Sequence, residues 1–450
     1  MSFLARTPIC PASLSTDLGK AFEAHEATYP GDKTFGLPYC EVAWLNVMRD
    51  RALKQSDAAL TDLTDKMLAL LVSPQAAGHS FQKDFRTLND GARRYAYPLA
   101  SAVLDEKRTL SGTSLDYTLE CIDLGLVRIL EDASLTDATV QGFVAEMLRI
   151  HSTDMTVPRY EVFRRMFDVY SEAIVYYLLQ ERGGAQLKID KIKETKDPTP
   201  DFKCTLTCTI NGDPRRLTFY IEVKSLDIVH APQRLPEMRD AAMKAQIEIE
   251  AQRQVGKTIA MTEHEIAPYR RYRTDAGYDP RSVRRVIETL IEKAANNFKA
   301  SQFALGPTFA LANLLRLPLP GQGANALAPS FYDPSNGGAC ISGICWHVAF
   351  GEFDTPIYRN PEFEGAGTLD GNLRKAGLLT NSGLTAVVPG LITFYYDQGA
   401  YRFHGLYDSR WKNDVQGWSN VETETVFDLL CGDYNSKDNG MAHKYSLRRA

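Results

Sequence analysis

The sequence predicts an α/β protein: an all-helical N-terminal region, then a core of helices around a mixed β-sheet, then a β-containing C-terminal region. Two observations support this order. Apolar residues recur at a spacing of three to four up to about Arg165, which is typical of helices. After Gly183-Gly184, apolar and polar residues alternate with a period of two, which is typical of strands. We place the three regions at residues 1–155, 156–318 and 319–450.

Composition is that of a globular chain. The 450 residues suffice for two or three cores, and 44% hydrophobic with 24% charged residues is ordinary. The start of the chain lacks a signal-peptide core, and no apolar run reaches the roughly 18 residues of a membrane helix. We expect a cytoplasmic protein without membrane contact, whose eight scattered cysteines form no C-x-x-C zinc knuckles.

Segment by segment, the patterns alternate between helix and strand. Predicted helices are Ala58–Leu71, Leu115–Leu130, Tyr160–Arg182, Leu235–Gln254 and Ser282–Gln302. Predicted strands are Ala185–Ile192, Phe202–Ile210, Leu217–Leu226 and Thr308–Leu315. Pro318–Ala339 reads as a loop or boundary, and the strand-like segments Cys340–Phe350 and Leu384–Phe403 form either a separate domain or extra strands of the same sheet.

Asn211-Gly212 predicts a tight hairpin between Phe202–Ile210 and Leu217–Leu226. On the second strand Leu217, Phe219, Ile221 and Val223 form an apolar face, and Thr218, Tyr220, Glu222 and Lys224 form a polar one. We therefore expect half-buried strands on which Glu222 and Lys224 are neighbours.

The length of the turn decides which residue faces Asp201. A two-residue turn puts Asp201 opposite Glu222, and a four-residue turn puts it opposite Lys224. A three-residue turn would put it opposite Val223, on the wrong face. Matching of apolar residues across the hairpin favours the two even lengths.

Two facing carboxylates repel each other, so folding alone gives little reason to bring them together. A divalent cation removes the repulsion, and Mg²⁺ usually takes one or two protein carboxylates, water and substrate phosphate. An ammonium on the same face, Lys224, can stabilise an attacking hydroxide or the charge that develops on phosphate. The residues predict a metal-dependent phosphodiesterase site.

Pro200-Asp201 followed by Glu222-Val223-Lys224 resembles the PD-(D/E)XK signature of restriction-endonuclease-like nucleases over about Tyr160–Leu315. The resemblance implies an α/β/α core that hydrolyses nucleic-acid phosphodiester bonds with Mg²⁺ (or Mn²⁺). DNA is the expected substrate over RNA, and a role in prokaryotic antiviral defence is plausible by analogy.

Further site residues follow from the same resemblance. It implies that Asp201, Glu222 and the helix-borne Glu172 bind the metal. It also implies a Lys or Gln near the site from the helix after the motif strand. Lys293 is the first candidate, followed by Asn297 and Gln302. The chain departs from the family pattern in the long segment Leu235–Arg281 between the motif strand and that helix.

Net charge of −5 gives no global attraction to a polyanion, so nucleic-acid binding would need a local basic patch. Residues 266–300 hold eight Lys/Arg against four Asp/Glu, interleaved with tyrosines. The predicted phosphate-binding residues are Arg270, Arg271, Arg273, Arg284 and Arg285. Ordinary salt pairs on a solvated helix explain the same pattern equally well.

Three rival interpretations accompany the nuclease. The segment Ala251–Thr258 resembles a phosphate-binding loop but lacks the first Gly. Cys340, Cys345 and His347 could ligate a metal, although a half-buried strand explains them more simply. A non-catalytic module on the same fold, binding nucleic acid or protein, is the main alternative. The flanking regions could serve a protein partner or a homo-oligomer.

Overall fold

The computed structural model describes residues 48–71, 91, 93–110, 117–153, 159–193, 198–226, 235–262, 282–316, 330–333, 339–358, 369–380, 388–397, 400–408 and 418–437. The chain divides into two compact units. The first comprises Met1–Leu115 and Ile122–Val157, and the second comprises Asp116–Cys121 and Pro158–Ala450.

Helices of the described part fall in both units. In chain order they are α1 (Ala58–Leu71), α2 (Pro98–Leu110), α3 (Tyr117–Glu120), α4 (Leu124–Ala133), α5 (Ala138–His151), α6 (Arg159–Gly183), α7 (Leu235–Gln254), α8 (Val283–Asn297), α9 (Ile344–Phe350) and α10 (Asn420–Leu430). None of the described helices is long and apolar enough to cross a membrane.

Strands of the described part all belong to the second unit. They are β1 (Leu187–Lys191), β2 (Phe202–Ile210), β3 (Asp213–Ser225), β4 (Thr308–Asn313), β5 (Ser330–Asp333), β6 (Ala339–Ser342), β7 (Pro356–Tyr358), β8 (Leu369–Asn372), β9 (Leu391–Asp397), β10 (Ala400–Tyr407) and β11 (Tyr434–Ser436). Seven of them form one sheet in the order β1-β2-β3-β4-β9-β10-β11.

The seven-stranded sheet is mixed. Strands β1, β2 and β3 pair antiparallel, whereas β3, β4 and β9 run parallel to one another. Strand β10 is antiparallel to β9 and parallel to β11. The predicted α/β class with N-terminal helices and a mixed sheet is thereby confirmed. The C-terminal strands β9 to β11 extend the core sheet rather than forming a sheet of their own.

Helices cover both faces of this sheet. Helix α6 contacts β1 and β3, and α10 contacts β2, β10 and β11, on the face where Phe309 meets Phe427 with ring centroids 5.3 Å apart. On the opposite face Ala310 and Ala312 of β4 belong to an apolar cluster with α8 and α9. The site therefore lies in a sheet with helices on either side.

The hairpin turn has two residues, one of the two even lengths that the sequence left open. Asn211 and Gly212 have φ values of 54° and 87°, the positive pair that a type I′ turn requires. The register pairs Phe202 with Ile221 and Ile210 with Asp213, which excludes the three- and four-residue turns.

Four element predictions were wrong. Ser282–Gln302 is not one helix, because α8 ends at Asn297 and Gln302 lies in a separate 3-10 turn. The predicted loop Pro318–Ala339 contains strand β5. Leu115–Leu130 is not one helix, because the side chain of Asp123 accepts the N–H groups of Gly125 and Leu126 and starts the new helix α4. Cys340–Phe350 is not one strand. Strand β6 ends at Ser342, and Cys345 and His347 lie buried in α9. A short apolar run without alternation fits a buried helix as well as a strand.

In the first unit, a buried acid holds the start of α2. The carboxylate of Glu131, only 2% exposed, accepts the N–H groups of Leu99 at 2.7 Å and Ala100 at 3.1 Å. These are among the N–H groups that a helix start leaves without an intrahelical partner. Burial raises the pKa of Glu131 to about 7 in spite of these two hydrogen bonds, which act to lower it.

We predict that this carboxyl group makes stability depend on pH. Because the folded chain holds the proton of Glu131 more tightly than the unfolded chain, unfolding releases that proton. The free energy of unfolding should therefore fall as pH rises towards about 7, by at most about 3 kcal/mol. Urea unfolding of the full chain across this range measures the effect. Glu131→Gln should reduce the dependence of the free energy of unfolding on pH. An unchanged dependence would contradict its assignment to Glu131.

Candidate active site

The second half of β3 is buried on both faces, which differs from the predicted half-buried strand. Ile221, Glu222 and Val223 are exposed by 0%, 0% and 5%. Strands β2 and β4 flank β3, and helices cover the sheet above and below. Glu222 is thus an ionisable residue in the interior rather than part of a solvated polar face.

Asp201 is held at the start of β2 by hydrogen bonds on both sides. Its backbone carbonyl accepts the N–H of Ile192 at 2.9 Å, and its carboxylate Oδ2 accepts the N–H of Val223 at 2.7 Å. One residue beyond the last pair of the ladder, Asp201 falls opposite Glu222. Of the two partners that the sequence left open for Asp201, Glu222 and Lys224, the two-residue turn selects Glu222.

Glu222 uses only one of its two carboxylate oxygens within the described residues. Oε1 accepts a hydrogen bond from Nε2 of Gln302 and forms an ion pair with Nζ of Lys224. Oε2 is buried and has no hydrogen-bond partner in the described part of the chain. A buried acceptor in this state is costly unless something else binds it.

The residue that meets Glu222 from beyond β3 is Gln302, the last of the three candidates that the resemblance suggested. It lies in a 3-10 turn, Ala300–Phe303, between α8 and β4. Its Oε1 accepts the N–H of Lys299 at 2.8 Å, which directs Nε2 towards Glu222. Lys293 and Asn297 instead line an adjacent cleft. From sequence, the signal for Gln302 was the Lys or Gln that the resemblance implies after the motif strand.

Asp201 and Glu222 lie in an environment that disfavours their ionised forms. Burial, together with the charges of Glu172 and Glu222, raises the pKa of Asp201 well above its usual range. Burial also raises the pKa of Glu222. For Lys224, burial acts to lower the pKa, but the surrounding carboxylates outweigh it and the pKa is raised. A bound cation would relieve both carboxylates by favouring their ionised forms.

Glu172 does not complete a preformed three-carboxylate site. Its Oε2 pairs with Nζ of Lys191 at 2.9 Å. Among the described residues there is no group of three or more His, Cys, Asp or Glu side chains placed to hold a metal ion. The oxygen donors that remain, Asp201 and Glu222, match the one or two carboxylates that Mg²⁺ usually takes.

A cleft of about 480 Å³ opens at the carboxyl end of β3, between α6 and α8. Its lining consists of Arg164, Asp168, Ser171, Glu172, Val223, Lys224, Ser225, Glu292, Lys293, Asn296 and Asn297. Asp201 and Glu222 are not part of this lining, and Lys224 connects them with it. The carboxyl ends of parallel strands are the usual place for ligand sites in open α/β sheets.

The described residues include two of the five arginines that were predicted to bind nucleic acid. Arg270, Arg271 and Arg273 lie outside the described residues. Arg284 forms two contacts with Glu288, at 2.8 and 3.0 Å, and its backbone N–H binds Asp370. We therefore assign Arg284 a structural role. Arg285 lies in the first turn of α8, where its backbone N–H binds the Ser282 cap, and it does not line the cleft.

Comparison with family models, curated proteins and solved structures finds no match for this chain. Interpretation of the site therefore depends on its residues and geometry.

We predict that Asp201→Asn stabilises the metal-free protein above neutral pH. The amide oxygen can still accept the Val223 N–H, while the repulsion with Glu222 disappears. Thermal unfolding in a chelator should show a rise in Tm, whereas Asp190→Asn on the exposed edge of β1 should not. Added Mg²⁺ should then stabilise the wild type more than the variant, and equal stabilisation would contradict a metal role for Asp201.

We also predict that Gln302→Ala lowers the free energy of unfolding by about 1–3 kcal/mol, because it removes a buried donor to a carboxylate. Gln246→Ala is a matched control, since Gln246 donates to Glu250 at 3.0 Å on an exposed helix surface. Chemical denaturation of both variants tests this. Equal losses would show that the buried amide does not stabilise Glu222.

Proposed function

We propose that this protein is a metal-dependent nuclease that hydrolyses phosphodiester bonds of nucleic acid, with DNA as the expected substrate. One observation carries the proposal: the fully buried carboxylate of Glu222 has an oxygen without a partner among the described residues, beside Asp201 and Lys224. This arrangement does not stabilise a hydrophobic core. It does provide oxygen ligands for a divalent cation.

Asp201 and Glu222 are the residues that would hold the cation, Mg²⁺ or Mn²⁺. Both supply hard oxygen donors, and burial raises the pKa of each, which a bound cation would counteract. Bound there, the metal would supply Lewis-acid activation of water and neutralisation of phosphate charge. The hydrogen bond from Val223 keeps the Asp201 carboxylate in place whether or not the cation is present.

Lys224 would act on the nucleophile or on the phosphate. Its raised pKa keeps the ammonium protonated at neutral pH, so it acts as a hydrogen-bond donor and a positive charge rather than as a base. It reaches from buried Glu222 to the lining of the cleft. A donor in this position stabilises a hydroxide or the extra negative charge of the transition state.

The architecture supports assignment to the restriction-endonuclease-like fold. The hairpin β2-β3 carries the motif, β4 pairs parallel to β3, and helices α6 and α8 lie on opposite faces. Glu172 lies on α6, as the resemblance implies, and lines the same cleft as Lys293. A role in prokaryotic antiviral defence follows only by analogy with that family.

Cleavage of a mixed panel of DNA and RNA tests the activity directly. We expect degradation that requires Mg²⁺ or Mn²⁺ and falls at least about a hundredfold in Lys224→Met, because an electrostatic contact to the transition state is lost. Lys203→Met is a matched control, since Lys203 lies on the neighbouring strand with an exposed side chain. Metal-dependent cleavage that survives Lys224→Met would refute the assigned site.

A non-catalytic binding module on the same fold is the second candidate. The observation that favours it is that Lys224 and Gln302 already satisfy one oxygen of Glu222, as in a structural ion pair. Calorimetric titration separates the two functions. The nuclease predicts metal binding that Asp201→Asn weakens, whereas the binding module predicts no metal binding.

A further inference from the structure

The cleft beside the site has more available positive charge than its lining suggests. Each of its three acids is paired with a basic residue outside the lining. Asp168 pairs with Arg316 at 3.7 Å, Glu172 with Lys191 at 2.9 Å, and Glu292 with Lys375 at 2.5 Å. These external cations offset the acids on the walls, so the acids do not cancel the attraction between a basic residue of the lining and an anion.

Lys293 is the basic residue best placed to bind that anion. It lies half-buried on the α8 wall and has no ion-pair or hydrogen-bond partner for its ammonium among the described residues. Asn296, exposed one position before Asn297, adds an amide donor to the same wall.

The chemistry of the lining also indicates what part of a nucleic acid it contacts. No aromatic side chain lines the cleft among the described residues, so the walls offer no surface on which bases could stack. Ammonium, amide and hydroxyl donors are the groups that bind phosphate oxygens. The cleft therefore suits the backbone of a strand, which is the same for every sequence.

We propose that Lys293 and Asn296 form a subsite for a backbone phosphate next to the one that is hydrolysed. The inference deepens the proposed function and rests on it. It assigns Lys293 to substrate binding instead of to the catalytic group around Glu222, because Gln302 and not Lys293 contacts Glu222. Recognition at this subsite is independent of base sequence.

Binding measured without metal tests the subsite separately from cleavage. Fluorescence anisotropy in a chelator follows the affinity of the full chain for labelled single-stranded DNA as salt is varied. Lys293→Met should weaken binding about tenfold at low salt and reduce the slope of log K against log salt by roughly 0.7, the value for one phosphate contact on a single strand. The control Lys188→Met removes an exposed lysine paired with Asp190 on β1, away from the cleft, and should leave the slope unchanged.

A modified strand identifies the group that Lys293 contacts. Replacing single phosphates with neutral methylphosphonates should, at one position, weaken binding to the wild type and have no further effect on Lys293→Met. Losses that add at every position would overturn the proposal, as would an unchanged salt slope or no DNA binding by the wild type. DNA binding with this pattern but no metal-dependent cleavage would keep the subsite and refute the nuclease.

Discussion

Glu222 carries an ionisable group into the interior of the sheet, and the surrounding structure is arranged around that group. Lys224 supplies charge from the same strand, Gln302 supplies an amide from a turn after α8, and Asp201 stands opposite across the hairpin. Burial of a carboxylate is unfavourable unless it is paired, and here one oxygen stays without a partner in the described residues. This cost is the physical observation that supports the proposed metal site.

The topology of the sheet determines where the buried carboxylate of Glu222 lies. Because β3, β4 and β9 run parallel, their carboxyl ends meet at one edge, and helices on opposite faces leave a cleft there. Ser225 pairs with Asn313, whose side chain binds Ser171 of α6 at 2.6 Å. The α6 wall is thus attached to the strand ends through a buried polar contact, which makes the cleft a defined part of the fold.

Much of the architecture could be predicted because it depends on local patterns. Helix α7 has the predicted bounds, β2 has the predicted ends, and the turn at Asn211-Gly212 has the positive φ pair its residues favour. From sequence, the even turn lengths put Asp201 opposite Glu222 or Lys224, and the observed two-residue turn selects Glu222. Prediction failed at α9, where seven consecutive buried residues contain no period to distinguish helix from strand.

By itself, the sequence determined the hairpin and the motif residues Asp201, Glu222 and Lys224, and it limited the register to the two even turn lengths, because turn chemistry and alternation act over a few residues. Tertiary structure alone decided that Glu222 is fully buried, that Gln302 is its partner and that Glu172 pairs with Lys191. These contacts join residues far apart in the chain, and they depend on how helices cover the sheet. No local periodicity encodes that packing.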